Sequence, residues 1–172
     1  MTTVLSPFND FSGVPPDVLE HAKQRGTLVH RFCHAYALGF PILEDVPSDA
    51  FGFFYSFRTW FDTWVTEVRG AEVELTDPVL GFIGHLDLIC RIRGDSEDAV
   101  VDYKTPANYA KTWGGQMAAY RHLANKNGFR VGRAIVLRLD PRGLTPTAHQ
   151  YGDDRRYLAA FIAALTAYSF FK

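Results

Sequence analysis

A single mixed α/β domain, with a central mixed β-sheet flanked by helices, is the fold class the sequence predicts. Three observations carry it: helix-spaced apolar stretches open and close the chain, three strand-like runs follow one another in its middle, and another helix separates these from two further strands. The resulting order is ααβββαββα, without repeats or low-complexity segments. At 172 residues the chain suits one domain with a substantial core.

Residues 1–14 carry Pro, Ser, Asn and Gly and read as an extended lead-in. Pro15-Pro16-Asp17 opens the first helix, because proline's fixed φ suits a first turn where its missing N–H costs nothing. Val18, Leu19, Ala22, Val29, Phe32, Cys33 and Tyr36 space it to about Leu38, and Gly39-Phe40-Pro41 ends it. A second helix, rich in Phe, Tyr and Trp, is expected over 48–69, with Ser48 or Asp49 as its N-cap. Strands are expected over 71–75, 79–93 and 99–104. A helix over 111–126 is closed by Asn127-Gly128. Strands over 131–139 and 145–151 follow, then a helix over 153–170. That last helix is apolar nearly all round (Leu158, Phe161, Ile162, Leu165, Tyr168, Phe170, Phe171), so it is expected against the sheet or in a subunit interface.

Composition excludes several classes. A hydrophobic content of 47% with 22% charged residues is too apolar for a disordered chain. A net charge of −1 removes any global attraction to nucleic acid, which must then be held by a local patch or by bound cations. Cys33 and Cys90 lie in apolar contexts and read as buried free thiols; two cysteines cannot supply the four thiolates of an iron–sulfur cluster. The chain shows no signal-peptide pattern and no apolar run of spanning length, so no membrane association and a cytoplasmic location are expected.

The chemistry concentrates in Gly84-His85-Leu86-Asp87-Leu88-Ile89 and Val100-Val101-Asp102-Tyr103-Lys104-Thr105, two runs joined through a polar turn over 94–98. Residues two apart on a strand share a face, so Asp102 and Lys104 look the same way as Val100, with Val101 and Tyr103 opposite. On the preceding strand, Phe82, Leu86, Leu88, Cys90 and Ile92 share one face, and Ile83, His85, Asp87, Ile89 and Arg91 the other. Asp87 thus sits among apolar neighbours, where an unpaired carboxylate is costly. A salt bridge to Lys104 would account for one acid. A divalent cation accounts for both, because Mg²⁺ prefers carboxylate oxygens.

Taken in order, Gly84-x-x-Asp87, Asp102-Tyr103-Lys104 and Gln116-x-x-x-Tyr120 resemble the PD-(D/E)XK nuclease superfamily. The nearest branch is the RecB-like, phage-exonuclease-like group, which also includes CRISPR-associated nucleases. Arg25-Gly26-Thr27-Leu28-Val29-His30 matches the setting of that branch's helical histidine. The resemblance spans residues from about 15 to 140 and implies a restriction-endonuclease-like αβββαβ core with an extra N-terminal helix and a C-terminal helix. It implies Asp87 and Asp102 as carboxylate ligands of Mg²⁺ or Mn²⁺, the Tyr103 carbonyl as a further ligand, and His30 reaching the same ion or a second one. Lys104 would orient or help deprotonate the attacking water and offset transition-state charge. Gln116 and Tyr120, one helical turn apart, would position the site and the nucleic-acid backbone. Two departures stand out: Asp102 replaces the Glu of many relatives, shortening the arm, and Leu86 stands where the superfamily's name has proline.

The implied function is a metal-dependent deoxyribonuclease hydrolysing DNA phosphodiester bonds, most like an end-processing exonuclease of recombination or repair, including phage-encoded ones. The alternative within the fold is a catalytically inactive nucleic-acid-binding or assembly module; outside it, an α/β protein whose hairpin charges simply pair. With little net charge, grip on DNA points to a recombination or replication protein as partner, or to a homo-oligomeric ring. Softer candidates remain. Glu72 and Glu74 share a strand face, near a metal or in solvent; His34 could pair with His30 but lacks a third zinc ligand. His85 could touch substrate. Lys111, Arg121, Lys126 and Arg130 could meet phosphates, and Trp113 could stack on a base or join the core.

Overall fold

Strand alternation and helical spacing sort the apolar residues into two cores on either side of one five-stranded sheet, in a computed structural model that describes residues 2–106, 108–152 and 155–171. The elements are α1 (Thr2–Leu5), a 3₁₀ turn (Ser6–Phe8), α2 (Pro16–Ala37), α3 (Ser48–Trp64), β1 (Val65–Asp77), β2 (Phe82–Ile92), β3 (Asp98–Lys104), α4 (Thr112–Lys126), β4 (Val131–Arg138), β5 (Thr147–Tyr151) and α5 (Arg155–Phe171). Strand order follows chain order. Neighbours are antiparallel except β3 and β4, which run parallel because α4 carries the chain back between them. The sheet is therefore mixed, as expected. α1, α4 and α5 cover one face with Leu86, Ile89, Val100, Met117, Leu123, Val136 and Phe161; α2 and α3 cover the other with Val29, Phe57, Leu88, Val101, Tyr103 and Leu137. Each large apolar side chain buried this completely contributes about 1.5–3 kcal/mol. Cys33 and Cys90 are buried free thiols in the second core.

Several expectations are corrected. The lead-in is not extended: Val4 and Leu5 form a short helix and bury themselves against α4 and α5. So short a helix stands through packing, which local sequence does not announce. At the start of α3 the cap position belongs to Pro47 and carries no side-chain hydrogen bond; Ser48 is already helical. That helix ends at Trp64, not near residue 69. Val65, Val68 and Ala71 all pack on the α2/α3 core at intervals of three, because register shifts after Val65 and after Val68 each absorb an extra residue. Bulged strand imitates helical spacing there.

The strand over 82–92 does not keep one apolar face. Phe82, Leu86 and Ile89 pack under α4 and α5, whereas Leu88, Cys90 and Ile92 pack under α2 and α3. Opposite, Ala71 and Val73 likewise divide between the two cores. The β1–β2 ribbon therefore turns over at Glu72 and Asp87, and Glu72 has a left-handed backbone, φ 51°. α5 buries only one face, through Phe161, Ala164 and Leu165, and leaves Phe170 and Phe171 exposed. The expected start of this helix at Asp153 lies outside the described residues. Among the described residues no helix is long and apolar enough to cross a membrane.

Candidate active site

Pairing between β2 and β3 runs only from Arg91↔Asp98 to Leu88↔Val101. Beyond it the ribbon leaves β3, and the Tyr103 N–H would lack a partner on that side. Asp87 supplies one: its Oδ2 accepts that N–H at 2.7 Å. The carboxylate is thereby fixed at the fork of the two strands, 7% exposed.

α2 crosses this fork and brings His30 to it. His30 Nε2 lies 3.1 Å from the Tyr103 carbonyl oxygen and Nδ1 3.3 Å from Asp87 Oδ1. Its ring meets the Tyr103 ring edge-on at 5.6 Å. An imidazole facing acceptors at both nitrogens serves both only when doubly protonated. Burial opposes that charge, but the Asp87 carboxylate prevails and raises the pKa of His30 to about 9. For Asp87, burial works against ionisation, while His30, Lys104 and the Tyr103 N–H hold its carboxyl below the usual range.

Asp102 and Lys104 do share a face, the one beneath α4. Lys104 Nζ stands 2.7 Å from Asp102 Oδ2, and Gln116 Nε2 donates to Asp102 Oδ1 at 3.0 Å and to the Tyr120 hydroxyl at 3.1 Å. Gln116 and Tyr120 reach in together because residues four apart lie on one helical face. Burial lifts Asp102 to about 6, with the Lys104 ammonium opposing and Asp87 adding to the rise. For Lys104, burial is outweighed by Asp102 and Asp87, so its pKa is raised and it stays an ammonium.

His30, Asp87, Tyr103, Asp102, Lys104, Gln116 and Tyr120 are thus joined contact by contact, from four elements. Glu72 also enters: its Oε1 lies 4.0 Å from His30 Nδ1, and one donor atom each from His30, Glu72 and Asp87 fall within 4.8 Å of one another. Burial and the nearby Asp87 raise the pKa of Glu72. Local sequence gave no signal that a left-handed glutamate would separate Glu72 from Glu74, which instead pairs with His85 in solvent at 2.9 Å. His34 stays out of the close ligand group. Trp113 is buried, packed against Tyr109 and His149. Arg121 donates to the Gly152 carbonyl at 2.8 Å and Lys126 pairs with Asp77 at 2.7 Å, so both have structural work; Lys111 and Arg130 are exposed.

The donor set fits a hard divalent cation. It offers carboxylates, a carbonyl and one imidazole, and donor atoms of His30, Glu72 and Asp87 lie within 4.8 Å of one another. No protein-family model matches the chain, and no curated protein sequence does either.

Proposed function

We propose that this chain is a metal-dependent nuclease of the PD-(D/E)XK type, hydrolysing DNA phosphodiester bonds, with a restriction-endonuclease-like core and exonuclease action in recombination or repair. The supporting observation is that His30, Asp87, Asp102, Lys104 and Gln116 meet at the one place where β2 and β3 part. Ordinary stabilising ion pairs do not call for two buried carboxylates, a half-buried lysine and a buried glutamine at a strand fork.

His30, Asp87, Asp102 and the Tyr103 carbonyl would hold Mg²⁺ or Mn²⁺. When bound, the cation would supply positive charge for the developing phosphoryl oxyanion and lower the pKa of a water nucleophile. The chain's own groups do the rest. Asp87, anchored by the Tyr103 N–H, keeps its carboxylate at the fork. Lys104 stays positively charged, so it orients the attacking water and offsets negative charge as the phosphate is attacked. Gln116 ties Asp102 to Tyr120, so the carboxylate nearest the lysine cannot swing away.

The test is cleavage of linear and covalently closed circular DNA in Mn²⁺, in Mg²⁺ and in EDTA, beside Asp102→Ala. Cation-dependent loss of linear DNA alone, absent in the variant, is the expected result. Cutting of circles would make the enzyme an endonuclease. DNA bound but never cut would leave an inactive binding module.

A further inference from the structure

We propose that Glu72 is an additional protein ligand of the cation, reaching it from β1 beside His30 and Asp87; the proposal rests on the nuclease reading. Glu72 lies across from Asp87 where the ribbon turns over, between the pairs Ala71↔Leu88 and Val73↔Leu86. Two features of this placement oppose stability. Two acids facing each other across a ladder repel, and a left-handed backbone at a residue with a Cβ is strained. A glycine would adopt the same backbone without penalty. What Glu72 adds is its carboxylate, 4.0 Å from His30 Nδ1 and within 4.8 Å of the His30 and Asp87 donors.

Charge supports the same assignment. Glu72 and Asp87 both stand beside His30, and Asp102 beside Lys104, so three carboxylates gather around two basic groups. Asp102 is engaged by Lys104 and Gln116 on one side of the site, and Glu72 adds a carboxylate beside His30 and Asp87 on the other.

The experiment titrates Mn²⁺ calorimetrically into wild type, Glu72→Gln, Glu72→Gly, Glu74→Gln and Asp87→Asn, and records each melting temperature in EDTA. Both Glu72 variants should bind Mn²⁺ about tenfold or more weakly, the scale on which lost metal-site contacts register. Glu74→Gln should bind as wild type. Glu72→Gly should melt no lower than wild type, since glycine suits the left-handed backbone. Affinity falling while stability holds is a combination that a purely structural Glu72 would not produce. Wild-type Mn²⁺ affinity in Glu72→Gln, with Asp87→Asn defective, would overturn the proposal and leave the nuclease reading standing. If wild type itself binds no Mn²⁺, both fall together.

Discussion

Lys104 is the last residue of β3, and its ammonium is held by Asp102 while its own carbonyl accepts the Leu139 N–H at 2.8 Å. Its backbone is therefore fixed independently of its side chain. On the nuclease reading proposed above, Lys104→Ala should lower DNA cleavage by about a hundredfold or more, the scale of losing one transition-state charge partner. Circular dichroism and Mn²⁺ titration should remain close to wild type; cleavage at the wild-type rate would remove Lys104 from the mechanism. Residues such as Asp102, Lys104, Gln116 and Tyr120 were readable because they stand on regular elements, where a period of two or of 3.6 dictates which side chains share a face. Glu72 and Glu74 were both candidates, but which of them faces the site was not readable: that choice depends on a backbone conformation that glutamate rarely adopts, and nothing local in the sequence marks it.

At the scale of elements, close approaches decide what packing tolerates. A Cβ on Gly52 of α3 would fall 1.7 Å from the Pro141 carbonyl oxygen and 2.4 Å from its carbon. The obstacle is backbone and cannot step aside as a side-chain tip could. Gly52→Ala should cost about 1–3 kcal/mol by overpacking, read as a lower urea midpoint at unchanged slope. An unchanged midpoint would mean that α3 and the segment after β4 separate easily. The order of the major helices and strands was legible because long periodic stretches are strong signals. Three features were hidden for one reason, that tertiary contacts overrode local pattern. Val4 and Leu5 fold only against α4 and α5; the bulges of β1 imitate a helix over Val65, Val68 and Ala71; and β2 changes faces at Asp87.

At the scale of the whole molecule, the far end of the ribbon is tied down by Asp77. Its carboxylate accepts the Val79 and Leu80 N–H groups at 2.9 and 3.1 Å and meets His122 and Lys126 of α4, both at 2.7 Å. Burial opposes the charge, yet Lys126, His122 and the two N–H groups hold the carboxyl well below the usual carboxylate range. A folded-state pKa depressed in this way gives stability that is present above the unfolded carboxylate's pKa and is lost as pH falls through the folded one. Melting temperature should therefore decline on acidification below about pH 4, the ordinary aspartate pKa. Asp77→Asn should melt lower than wild type at neutral pH and lose less on acidification; parallel acid limbs for the two would refute the assignment. The other consequence concerns solubility. β1 is an edge strand 13 residues long, and a flat edge of that length invites another chain to pair with it. The two register shifts and the left-handed Glu72 break its hydrogen-bonding row, while Glu67, Arg69 and Glu74 line it with charge. The irregularity that carries a carboxylate to the fork also keeps the border of the sheet closed to strangers.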